Sequence, residues 1–167
     1  MGVAYDIASW QLFFATLAGA TAALTGLLFV ALSLHLQQII SRPATRGQAR
    51  EALGGFLSLL AISIAALIPG QGSRLLAIEL LLIGLAVVAA SIRLQGDTLR
   101  RLPPARRGRR FVHLAPVNLG TATVLIAGVS LFAERGGGLY WLAPTVMLYL
   151  GNALFNAWSL TVQIGEE

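Results

Sequence analysis

The sequence predicts an all-α polytopic bundle lying in a bilayer, with about five transmembrane spans in one integral membrane domain covering residues 1–167. Three observations predict it. The chain is 56% hydrophobic and only 11% charged, with a mean hydropathy of +0.76, whereas a water-exposed domain is about a quarter charged. Its apolar runs are continuous rather than alternating, which favours helices over a barrel. Finally, arginines gather in two of the connections between those runs, the bias that orients membrane proteins.

The first span is placed at about 10–36. It is uncharged from Phe13 to Leu34, long enough to cross the hydrocarbon core as a helix. No positive segment precedes it, as a cleaved secretory signal would require, so an uncleaved helix with its N-terminus outside is expected. Trp10 and Tyr5 suit the outer aromatic belt. Ala15, Gly19, Ala22 and Gly26 recur at helical spacing, with Ser33 a heptad beyond Gly26, and form one seam. Small residues let helix backbones approach closely in lipid, where no hydrophobic effect draws helices together. Thr21, Thr25, Leu28, Leu32 and His35 share a neighbouring face. This helix is therefore read as the central packing element.

The second span, about 52–68, is stopped by the turn PGQG at 69–72. The third, about 74–94, contains Glu79. The fourth, about 111–132, carries Pro116 in its first turns, where proline is tolerated. The fifth, about 139–164, begins at Tyr140 and Trp141. Two basic loops are expected between spans: residues 37–51 with Arg42, Arg46 and Arg50, and residues 95–110 with Arg100, Arg101, Arg106, Arg107, Arg109 and Arg110. The two turns on the other side hold only Arg74 and Arg135. The positive-inside rule then gives N-out, C-in. The two hairpins share a plan but little residue identity, so chance likeness is preferred to a duplication.

Few residues invite a chemical reading. Glu79 is the acid inside a span, a functional hypothesis by default; water or Arg74 or Arg135 near the outer end would also accommodate it. Thr21, Thr25 and His35 could line a path along the first helix. His35 and His113 fall at the inner interface, where interfacial hydrogen bonding is preferred to a two-ligand metal site. Asn118, Asn152 and Asn156 are intramembrane amides, read as glue between helices before a hydrated path. The arginines at 100–110 suit anionic lipid headgroups. They lack the groove-reading or stacking element that nucleic acid requires. Zincin, nucleophile-elbow, phosphate-loop and dinucleotide signatures are missing from the sequence, and Ser58 and Ser63 have no activating base at their depth. No catalytic residue, cofactor or metal is expected, and with no cysteine neither disulfides nor thiolate sites are available.

The stretch AALTGLLFVALSLHLQQII at 22–40, followed about thirty residues on by LIPGQ at 67–71, resembles a group of small multi-spanning membrane proteins common in actinobacteria. Some of these carry an automated label as modulators of a membrane-bound AAA+ protease. The resemblance covers roughly the first half of the chain. It implies a bacterial inner-membrane location and a non-enzymatic role, and it transfers no site residue. The expected function is a membrane scaffold or regulator that self-associates through the first helix and binds lipid and another membrane protein. The alternative is a homo-oligomeric ion channel or small-solute transporter with the first helix lining its path.

Overall fold

The computed structural model describes residues 2–41, 43–101 and 104–165. Within its helices the side chains at 38, 40, 43–44, 94–101, 104–114, 160–161 and 163–165 lie outside the description. Among the described residues there is no strand. Five long helices carry the fold: α1 (Gln11–Leu34), α3 (Pro43–Ala66), α4 (Ser73–Arg101), α5 (Pro104–Phe132) and α6 (Leu142–Gly165). A short α2 (Leu36–Ser41) joins α1 to α3. Among the described residues four segments are long and apolar enough to cross a membrane: Ile7–Leu34, Thr45–Ala66, Ser73–Arg93 and Ala115–Phe132. The protein is thus a helical membrane protein. α6 is not among the four, and polar Thr145, Tyr149, Asn152 and Asn156 are buried on it.

Successive long helices alternate in direction. α3, α4, α5 and α6 pack in a closed circuit, α3 on α4, α4 on α5, α5 on α6 and α6 on α3, while α1 lies against α3. At one end Phe14, Ile62, Ala65, Leu76, Leu80, Val124, Leu131, Leu139 and Leu142 form a single apolar cluster. Toward the other end Leu28 of α1 packs with Ala52, Phe56 and Ala153, which seats α1 in the groove between α3 and α6.

This overturns the central role expected of the first helix. Only Phe14, Leu17, Thr21 and Leu28 of α1 are buried. Ala15, Gly19, Ala22 and Gly26 are all exposed, roughly 140° around the helix from that buried stripe at 3.6 residues per turn. No atom of a neighbouring element lies within 4 Å of where a Cβ on Gly19 or Gly26 would sit. The close approaches are made by other glycines. A Cβ on Gly84 would meet Leu125 at 2.6 Å, one on Gly128 would meet Leu81 at 2.8 Å, and one on Gly120 would meet the Tyr149 ring at 2.5 Å. Gly55 faces the Ala153 methyl at 3.2 Å.

The helix ends also differ from expectation. Residues 43–51 belong to α3, so Arg46 and Arg50 ride on its first turns rather than on a loop. α4 continues to Arg101 and α5 starts at Pro104, so the segment read as a loop at 95–110 is mostly helical. Pro104 tolerates the first helical position because its missing N–H has no helical partner there anyway. Starting α5 so early leaves Pro116 inside the helix, where it removes one hydrogen bond from the ladder.

At the end opposite Arg46 and Arg50, the N-terminal 3-10 turns Val3–Tyr5 and Ile7–Trp10 fold over the connection between α5 and α6. The Gly137 N–H donates to the Tyr5 hydroxyl at 3.1 Å, and the Trp10 ring meets Tyr140 edge-on at 5.0 Å. Gly138, at φ +51°, lies so near the Ala4 carbonyl and Tyr5 ring that a side chain could not be placed there. Tyr5 and Trp10, the two aromatics expected at the outer belt, thus both pack on the α5–α6 connection.

The contrast between the two sets of glycines is measurable. Gly120→Ala should destabilise the bundle by about 1–3 kcal/mol, the usual range for overpacking a filled interface, read by thermal unfolding in detergent. Gly19→Ala should leave the midpoint of a single chain unchanged or slightly higher.

Candidate functional site

A column of polar side chains runs along the inward face of α6. It begins beneath the α5–α6 connection, where the Ser130 hydroxyl donates to the Arg135 carbonyl and accepts the Gly138 N–H at 2.8 Å. One level further in, Thr123 and Thr145 share a hydroxyl hydrogen bond of 2.8 Å. Below them Thr121 and Tyr149 share one of 2.7 Å. Each threonine hydroxyl also has a carbonyl acceptor in its own helix: Gly120 for Thr123 at 2.8 Å, Val117 for Thr121 at 2.7 Å and Trp141 for Thr145 at 3.1 Å. Helical spacing explains the column, since positions 142, 145, 149, 152 and 156 recur every three or four residues and share a face.

The column continues to Asn152 and then Asn156, which is completely buried. Both amide atoms of Asn156, and Oε1 of Gln48 on α3, are buried without a hydrogen-bond partner. Orphaned amides in apolar surroundings are costly, about 2–7 kcal/mol by transfer measures, so this is the point where the polar column is incomplete. Asn152 and Asn156, expected as glue between helices, are both buried, but Asn156 makes no hydrogen bond to a neighbouring helix. Asn118 stands exposed on α5 and is not among the amides packed between helices.

The other candidates are scattered. Glu79, half-buried on α4, accepts a hydrogen bond from Gln71 Nε2 of the turn at 2.5 Å. Thr21 is buried and donates to the Leu17 carbonyl at 2.7 Å, Thr25 donates to the Thr21 carbonyl at 2.6 Å, and His35 is exposed where α1 meets α2. These three do not share one open face, and Glu79 lies at the opposite end of the bundle from His35. The side chains of His113 and of Arg100, Arg101, Arg106, Arg107, Arg109 and Arg110 lie outside the described residues. Among the described residues no three His, Cys, Asp or Glu side chains gather as metal ligands.

Sequence reading passed over Gln48, Gln71, Thr123 and Thr145. The threonines carried a usable signal, because Thr145, Tyr149, Asn152 and Asn156 share one helical face. No protein-family model, curated protein or solved structure matches this chain.

Removing the Tyr149 hydroxyl tests the satisfied half of the column. Tyr149→Phe should lower stability by about 0.5–1.7 kcal/mol, the range for interhelical hydrogen bonds in membranes, with the secondary structure unchanged by circular dichroism.

Proposed function

We propose that this protein is a non-enzymatic subunit of a bacterial cytoplasmic membrane assembly, a scaffold or regulator that associates with copies of itself through the outward face of α1. One observation carries the reading. Ala15, Gly19, Ala22 and Gly26 form a small-residue seam that the chain does not use internally, while Gly55, Gly84 and Gly120 are each pressed against a neighbouring helix. In lipid such a seam gains most from a second helix, since close backbone contact replaces the hydrophobic effect as the driving force.

The finer architecture belongs to the same proposal: five spans, N-out and C-in, with α6 as the fifth. Its support is that α6 packs along both α3 and α5 and so shares their depth. Arg46 and Arg50 on α3 and the arginines between positions 100 and 110 then face the cytosol. There they meet anionic headgroups and the cytoplasmic parts of a partner membrane protein. The resemblance of residues 22–40 and 67–71 to small actinobacterial membrane proteins supports that location and the regulatory role. The rival channel or transporter reading, with α1 lining the path, asks buried Thr21 to face an open route and is the weaker of the two.

The chain has no native cysteine, so single substitutions give unique thiols. Ala22→Cys should form a disulfide-linked dimer in native membranes under mild oxidation, and Gly26→Leu in that background should reduce it at least tenfold without changing the melting midpoint. An Ala22→Cys variant that stays monomeric, like a Leu85→Cys control at an exposed position of α4, would refute association through α1.

A further inference from the structure

We propose that the N-terminal segment 2–10 is a lid over the Ser130 end of the polar column, one that lifts as a unit while the bundle beneath stays folded. The inference is independent of how copies of the chain associate and of which side of the membrane this end faces. It starts from three stacked layers. Ser130 heads the column and accepts the Gly138 N–H at 2.8 Å. Gly138 also lies against the Ala4 carbonyl and the Tyr5 ring, and the neighbouring Gly137 N–H donates to the Tyr5 hydroxyl at 3.1 Å. Leu139, which follows, is completely buried. One glycine thus separates the N-terminal segment from the first hydroxyl of the column.

Each layer is held together mainly by its own hydrogen bonds. Within the lid, Asp6 caps the second turn, accepting from the Ala8 N–H at 3.2 Å and the Ser9 hydroxyl at 2.5 Å. The Trp10 indole N–H donates to the Val3 carbonyl at 2.9 Å. In the connection beneath, the Arg135 N–H donates to the Ser130 carbonyl at 3.1 Å and the Trp141 indole N–H to the Gly136 carbonyl at 2.7 Å. Among the described residues a single hydrogen bond joins the two, from Gly137 to Tyr5. The other ties are the packing of Tyr5, Ile7 and Trp10 on the apolar cluster. Lifting the lid therefore breaks one hydrogen bond and exposes three side chains, whereas unfolding the bundle separates every helix pair. Elements tied this lightly open well below the free energy of global unfolding. Phe14, completely buried, keeps α1 in place, so the bend falls between Trp10 and Phe14, where the 3-10 turn gives way to the α-helix.

Residue-resolved hydrogen exchange of the purified full-length protein tests this, because the Gly137 amide is bonded to the lid and the Gly138 amide to the column. Protection at Gly137 should lie about a hundredfold or more below that at Tyr149, the mark of local rather than global opening. Asp6→Ala removes an acceptor whose hydrogen bonds stay within the lid. It should lower Gly137 protection by about a further tenfold and leave Gly138 unchanged, while Asp6→Asn, an equally good cap, should behave as wild type. In a Leu139→Cys background, Asp6→Ala should speed reaction with a small thiol reagent by a similar factor. Should Asp6→Ala fail to fold, Ser9→Ala takes its place with the same expected effects. Gly137 protected as strongly as Tyr149 would overturn the proposal, since the segment would then leave only on global unfolding. So would Gly137 exchange and thiol reactivity at position 139 that the lid variant leaves unchanged.

Discussion

On the proposal that α6 crosses the bilayer with its neighbours, the constraint on which the structure depends is that lipid cannot solvate the polar face of α6. Thr145, Tyr149, Asn152 and Asn156 would each leave hydrogen-bonding groups bare in hydrocarbon, at several kcal/mol per group. The face is hidden by packing α6 between α3 and α5, whose threonines answer it at two levels. Once α6 is held there, the α4–α5 hairpin closes the circuit, and α1 has only the groove between α3 and α6 left to occupy. Thus the helix whose buried face is polar sits where the other helices shield it, and α1, uncharged throughout, sits where it meets the surroundings.

Glycine placement follows the same logic. In a bundle without a hydrophobic driving force between helices, contact distance decides which faces mate. Gly84 and Gly128 let α4 and α5 interlock through Leu125 and Leu81, and Gly120 admits the Tyr149 ring so that its hydroxyl can reach Thr121. A Cβ at Gly120 would push away the ring that completes a hydrogen-bonded level of the column, so packing and polar satisfaction are linked at that one position. The seam on α1 has the same composition and nothing opposite it. That difference leads from the architecture to the reading of self-association.

The helical membrane class was legible because composition and continuous apolar runs report the solvent directly. The contact between Trp10 and Tyr140 was not legible, because it depends on how the chain's start packs on the α5–α6 connection. The role of α1 was misread. A run of Ala15, Gly19, Ala22 and Gly26 shows that a face can pack closely, but not whether its partner lies in the same chain. The helix limits near the arginines were misread because charge and Pro103–Pro104 look like a loop, yet Arg is a good helix former and Pro104 serves as a helix start. The pairing of Thr121 with Tyr149 depends on antiparallel register between two helices, which no local spacing reveals.

The claim that α6 traverses the bilayer inside the bundle has a direct test in impermeant maleimide labelling of single-cysteine variants in intact cells. Arg135→Cys, before α6, should label from outside, while Gly165→Cys, at its end, and Gly108→Cys, at the arginine-rich bend, should label only after the membrane is opened. Labelling of Gly165→Cys from outside together with Arg135→Cys would mean that α6 does not cross, and the arrangement built on its polar face would be wrong.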